Sequence, residues 1–426
     1  MLKSIIRKEI LSNLLSYKFS IIIILSTILI LVSIFVMYRD YCLAMENYEI
    51  LRPKSNESIA IIPPAPISIF AKGLEENLCR SYESGFLGGI DISTKQKSVN
   101  NLFKLFTAPD LLYIIKVILS LCAMLFAFDI ICGEKEIGTL RQSLSCSLKR
   151  PVLIIGKWVG GFTSFILPFF IAVLLGTIFV TLSPMVDMNP ENWLKLGLFL
   201  LTSVIYLAVF FSLGLLISCL THQSSSSLII SLFVWAMLVF LIPNLGNILA
   251  RQLVRIPTVQ QLELKREQIQ LKTEIEVDRL MTRFERTEIE VHRLQIWSER
   301  TECIKRADSE REMLTEDYRN RFNRLIEVSQ YITRISPAAA FTFLATDITG
   351  TGMSEERNLK RAVLEYMDII EDWDDEKGDR PVFSYKSSSY REALGPGGLS
   401  NCLILILFNI LFFAAAHVAF LRYDVR

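Results

Sequence analysis

The sequence predicts an all-α membrane protein with six transmembrane helices and an extracytoplasmic helical domain, coiled coil or hairpin, between the fifth and the sixth. Three observations carry this reading. Of 426 residues 51% are hydrophobic, and the mean hydropathy is +0.39, where a soluble domain of this length would sit below zero. The excess is gathered into runs of about 20 residues, the length a ~30 Å hydrocarbon layer demands of a helix. Between the last two runs lies 258–335, a stretch without Gly or Pro whose apolar residues recur at helical spacing.

Residues 1–18 read as an amphipathic N-terminal helix. The first span, 19–38, contains no charge; it is too long for a signal peptide and lacks a small-residue cleavage site, so it reads as an anchor. Segment 39–108 is mixed, with Pro63, Pro64 and Pro66 in a loop and a Gly-rich patch at Gly85–Gly89. The second span is 109–132, followed by a polar loop, 133–153, and a third span, 154–182. The turn LSPMVDMNPENW leads to the fourth span, 195–220; the fifth is 226–248 and the sixth 401–421. Lys3, Arg7, Lys8 and Lys18, then Lys135, Arg141, Lys149, Arg150 and Lys157, then Arg422 and Arg426, lie on one side of these spans. The positive-inside rule makes that side cytoplasmic, with both termini there and 39–108 and 249–400 outside.

Within 249–400 the apolar seam runs through Leu262, Ile269, Leu280, Phe284, Val291 and Leu294, lapses between Ser298 and Glu312, and resumes at Tyr318, Phe322, Leu325 and Ile332. One helix of this length would exceed about 100 Å at 1.5 Å per residue. A hairpin with its tip in SERTECIKRADSERE is more economical and brings Phe284 level with Tyr318; the single long helix is the alternative. SPAAAFTFLATDITGTG is expected to return the chain to the membrane surface, followed by a short amphipathic helix over 355–373 and a loop over 374–398.

Several function classes drop out. A net charge of +1 gives no support for nucleic-acid binding. Eight cysteines show no CxxC spacing, so neither a metal cluster nor a redox pair is expected. Gly156-Lys157 is followed by Trp158 rather than Ser or Thr, and the sequence has no G-x-x-x-x-G-K-[ST], H-E-x-x-H or G-x-S-x-G. His222, His292 and His417 are far apart. The chain is expected not to be an enzyme, and to bind neither metal nor cofactor itself.

The most informative stretch is DIICGEKEIGTLRQSLSCSLKRPVLIIGKWVGG, 129–161. A Gly-Glu-Lys-Glu cluster follows directly on a span; Gly138 and Thr139 permit a tight helix start, and Glu134 and Glu136 suit a helix N-terminal dipole. Such an element, tied to two spans, can transmit a push. Ionisable residues inside spans are functional candidates by default. Lys116 either snorkels to the outer interface or lines a polar path for an anionic head group, and Asn244 after Pro243 marks a broken helix that lines a cavity. These two are the candidates for a translocation path.

The string E-K-E-x-G-T-L, then Lys/Arg-Pro, then G-K-x-x-G, resembles the type-2 ABC exporter permeases, in an enlarged subgroup with an insertion between spans five and six. IIRKEILSNLLSYKF is similar to their interfacial elbow helix, and the ending FLRYDVR fits as well. The resemblance implies that Glu134, Glu136, Gly138, Thr139 and Arg141 contact a separate ATPase subunit, which binds ATP and Mg. It implies pairing with a second permease, identical or related, and six spans alone lack the second half that alternating access needs. The expected setting is the bacterial plasma (inner) membrane, with lipid as a partner. Two alternatives stand: a mechanotransmitting permease whose outer helices drive an extracytoplasmic partner protein, and a non-transporting scaffold or sensor.

Overall fold

The structure, a computed structural model, describes residues 2–51, 59–60, 62–74, 81–84, 90–93, 109–145, 149–286, 290–371 and 383–422. Cys79, Gly85–Gly89, Cys146, 374–382 and the last four residues of the FLRYDVR ending lie outside the described residues. The chain forms two compact units, Met1–Leu241 with Ser336–Arg426, and Ile242–Ile335.

Six helices are long and apolar enough to cross a membrane: Tyr17–Ile50, Leu111–Ile137, Arg150–Thr181, Pro190–Leu220, Ser224–Leu253 and Gly397–Leu421. In the first unit, α1 (Leu2–Leu14) is followed by α2 (Tyr17–Leu51), which runs well past residue 38. The next span, α3 (111–127), begins at Asp110, whose carboxylate accepts the Tyr113 N–H at 2.8 Å. It widens into a π-turn over Ile114–Leu119 and resumes as α-helix over Ser120–Ala127. Two short helices follow, α4 (Cys132–Ile137) and α5 (Thr139–Ser145). The spans α6 (Arg150–Thr181) and α7 (Pro190–Leu220) each start with proline in the first turn, where its missing N–H costs no hydrogen bond. The next span enters as α8 (Ser224–Ala236) and ends this unit in a second π-turn, Met237–Leu241.

After the second unit the chain returns through α12 (Pro337–Thr349), α13 (Met353–Glu371), α14 (Tyr390–Ala393) and the last span, α15 (Pro396–Leu421). The first unit is organised on two helices. The central one is α7, which packs against α3, α12 and α15, while α6 carries α1 and α2. The core is aromatic where these meet: Tyr206, Phe210, Phe211 and Phe341 are fully buried, and Phe341 of α12 stacks on Tyr206 of α7 at 4.3 Å. SPAAAFTFLATDITGTG is therefore an interior helix rather than a surface one, because Ala338, Ala340, Phe341, Leu344, Ala345 and Ile348 together cover more than one face with apolar atoms. The fold is all-helical apart from one small feature that periodicity did not reveal. Strands β1 (Ile59–Ala60), β2 (Ser81–Ser84) and β3 (Ile90–Ser93) form an antiparallel sheet, with Ala60 opposite Tyr82 and Glu83 opposite Asp91.

The second unit is a helical hairpin made of α9 (Ile242–Leu253), α10 (Val259–Glu285) and α11 (Glu290–Thr333). Thr258 starts α10 with a capping box, its hydroxyl accepting the Gln261 N–H while the Gln261 side chain accepts the Thr258 N–H. Here the structure corrects the sequence reading. The arms divide between Glu285 and Glu290, not within SERTECIKRADSERE, which lies inside α11. Phe284 consequently meets Trp297 at 6.4 Å, whereas Tyr318 lies further back and stacks with Phe322. The long second arm runs along α10 and then along α9, so that Arg266 reaches Thr315, Asn247 reaches Ser329 and Gly246 lies against Thr333. The helical register is continuous through 298–312; the missing apolar seam reflects small and polar residues such as Ala307 that suffice for close packing.

Candidate functional site

The charged cluster after span two builds a collar in which each charge goes to a different element. The main chain leaves α3 at Ala127 and turns before α4. The turn is held by Ser218 of α7, whose hydroxyl accepts the N–H groups of Ile131 and Cys132, each at 3.0 Å. Lys135 then donates to the Cys219 carbonyl at 2.5 Å and the Thr221 carbonyl at 2.9 Å. These are carbonyls at the C-terminal end of α7, where a cation satisfies orphan acceptors and the negative end of the helix dipole. Glu136 does the converse, accepting from the backbone N–H of Ser224 at 3.0 Å and its hydroxyl at 2.7 Å, at the N-terminus of α8.

Glu134 turns the other way, to Lys157 of α6 at 2.7 Å. Lys157 also pairs with Glu9 of α1 at 3.0 Å, and its side chain is only 4% exposed. Two carboxylates thus share one buried ammonium, and Glu134 Oε2 is buried without a hydrogen-bond partner among the described residues. The arm helix can come this close because α6 presents glycine to it. A Cβ at Gly156 would stand 2.7 Å from Ile5 Cγ2, and one at Gly160 would stand 2.7 Å from Glu9 Cβ and 3.2 Å from the Ile6 carbonyl oxygen. Lys18 pairs with Asp129, and Arg150 donates to the Leu421 carbonyl at 2.8 Å, which draws α2 and α15 to the same end of the bundle. Beneath the collar Ile131, Leu140, Leu153, Ile154, Leu215 and Phe420 form an apolar cluster.

Gly138 does not start a helix. It ends α4 in the left-handed conformation, φ 84°, and Thr139 begins α5. Glu136 does sit at a helix N-terminus, but that of α8 rather than of its own element. With Glu134, Lys135 and Glu136 turned inward, the outward surface of the collar is Ile137, 78% exposed, with Gly138, Thr139 and Arg141, which are all exposed.

The two residues proposed for a path fall in different units, Lys116 in the first and Asn244 in the second. The Lys116 ammonium lies 5.8 Å from the Tyr113 ring and interacts electrostatically with Asp110, so it extends toward the end of α3 away from the collar. Its carbonyl, released by the π-turn, accepts from the Tyr206 hydroxyl at 2.8 Å and the Ser120 hydroxyl at 2.6 Å, and Trp235 donates to Ser120 at 3.0 Å. Asn244 is exposed and does not mark a broken helix: α9 is continuous from Ile242 to Leu253. Pro243 falls in the first turn of α9, directly after the Met237–Leu241 π-turn, so its missing N–H breaks nothing.

The sequence reading overlooked Glu9, Lys157, Ser218 and Ser224. A signal for the first two was present. Glu9 lies in the amphipathic arm and Lys157 inside G-K-x-x-G, and a lysine within an apolar run calls for an acidic partner.

The family model described as ABC-2 family transporter protein matches residues 4–425. No curated protein matches the chain.

Proposed function

Because the chain belongs to the ABC-2 family of transporter proteins, a family of membrane subunits that are not themselves ATPases, we propose that it is the permease of an exporter. Its ATP and Mg are bound by a separate ATPase subunit. It sits in the bacterial plasma (inner) membrane with the collar and both termini in the cytoplasm, and works as a pair of permeases. The observation that supports this most is the division of charge in the collar. One six-residue helix, α4, is bonded to the arm and α6 through Glu134, to the end of α7 through Lys135 and to the start of α8 through Glu136. A displacement of the Ile137–Arg141 knob by an ATPase is thereby passed to several spans at once. Glu134 and Glu136 act inside this linkage, and Ile137, Thr139 and Arg141 make the contact.

The test separates these two roles. Ile137→Asp or Arg141→Glu is expected to lower ATPase co-purification about tenfold, as loss of a small exposed anchor does at other interfaces, with an unchanged melting temperature for the chain alone. Glu136→Gln is expected to retain ATPase binding and lose coupling of hydrolysis to transport. Full ATPase binding in both knob variants would reject the assignment.

A further inference from the structure

The hairpin carries a second apolar seam that its own fold leaves open. On α10, one face packs against α11 through Leu262, Arg266 and Phe284. Leu264, Leu271 and Ile275 point elsewhere and are 57%, 59% and 47% exposed. At about 100° per residue, Leu271 and Ile275 each fall within about 20° of Leu264, and Leu262 and Phe284 fall on the opposite side of the helix. The helix is thus apolar on two opposed faces, and only one is covered.

We propose that this open face docks against the same face of a second copy of the chain, forming a parallel coiled coil between the two α10 helices. The proposal rests on the reading that permeases pair, and specifies the partner as identical. The spacing of seven and four residues sets Leu264 and Leu271 at heptad position d, and Gln268 and Ile275 at position a. The flanking charges then decide the orientation. Glu267 and Glu274 fall at g, and Lys265, Lys272 and Arg279 at e. In a parallel pair, g of one helix meets e of the next heptad on the other, which sets Glu267 against Lys272 and Glu274 against Arg279, each twice by symmetry. An antiparallel pair would set glutamate against glutamate and lysine against lysine. Two chains inserted in one membrane with the same topology present α10 in the same sense, which is the parallel case. Among the described residues Glu267, Lys272, Glu274 and Arg279 form no ion pair within the chain. Gln268, a polar residue at a, suits a fixed register. The seam is short, under two heptads, and would be marginal between free peptides. Chains already paired through a membrane meet at high effective concentration, where a short seam suffices.

The experiment uses the full chain, co-expressed in two differently tagged copies with its ATPase, in a Cys303→Ser background. Leu271→Cys is expected to form an interchain disulfide on mild oxidation in membranes. Ser309→Cys, an exposed site on the other arm, is expected to give none. Glu267→Lys with Glu274→Lys is expected to reduce crosslinking at Leu271→Cys about tenfold, since four surface pairs become repulsive. Adding Lys272→Glu and Arg279→Glu is expected to restore it. Co-purification of both tags without crosslinking at Leu271→Cys overturns the proposal, as does crosslinking indifferent to charge reversal. If the tags separate while the ATPase stays bound, the self-pairing is overturned and the permease reading survives; loss of the ATPase as well strikes that reading.

Discussion

Around Lys157 charge is buried and shared between elements remote in sequence; along α10 and α11 it lies in water and pairs within one helix. Lys157 reaches Glu9 across 148 residues with a side chain 4% exposed, whereas Arg321 reaches Asp317 one turn away with both side chains about half exposed. The two arrangements differ in what they determine. A buried charge must find its partner or suffer the cost of desolvation, so the collar fixes the mutual positions of α1, α4 and α6. A surface pair gains little from its geometry, so the hairpin is held instead by its apolar face.

The sharpest way to break this contrast is Lys157→Ala. It leaves Glu9 and Glu134 facing each other without a cation, and is expected to cost about 3–5 kcal/mol, read as a lowered melting temperature in detergent. Lys157→Met combined with Glu9→Gln and Glu134→Gln should recover most of that loss. An unaltered melting temperature for the single variant would remove the distinction between collar and hairpin. Next in size is Gly160→Val, whose side chain meets Glu9 and the Ile6 carbonyl. Overpacking of this kind costs about 1–3 kcal/mol, and faster protease cleavage within Leu2–Leu14 would report release of the arm. In the hairpin, Phe284→Ala removes a partly buried ring that meets Trp297 and lies 4.4 Å from the Arg293 guanidinium. About 1 kcal/mol is expected, visible as faster amide exchange near the ends of α10 and α11, with no change in α6 or α7. The smallest effect is Arg321→Ala, under about 1 kcal/mol; a larger loss would mean that hairpin charge matters as collar charge does.

The difference also explains what could be read from the sequence. The spans were legible because lipid enforces about 20 apolar residues whatever the tertiary partners are. The existence of a hairpin was legible because 258–335 has neither Gly nor Pro. Its turn was not, because the lapse of large apolar residues over 298–312 marks close packing by small ones such as Ala307, and a lapse looks the same whether the helix ends or merely narrows. The E-K-E cluster was legible as a functional element, but its direction was not. Whether Glu134 faces outward or toward Lys157 depends on a span that begins more than ten residues later and on an arm more than a hundred residues earlier. Asn244 misled for a related reason. The proline before it suggests a break, and only the π-turn at Met237–Leu241 shows how the helix runs on.

The π-turn at Ile114–Leu119 has a consequence of phase. A π-turn is the trace of one extra residue accommodated in a helix, and one residue is worth about 100° of rotation. Everything on α3 beyond it is therefore set about a quarter turn from where an unbroken α-helix would aim it. Ala127, which fits against Gly214 so closely that a Cβ there would stand 2.9 Å from its own, lies in this rotated half. Excising any single residue between 114 and 119 would keep the span long enough to cross a bilayer, yet turn its lower half away from α7. In this helix the count of residues matters as much as their kind.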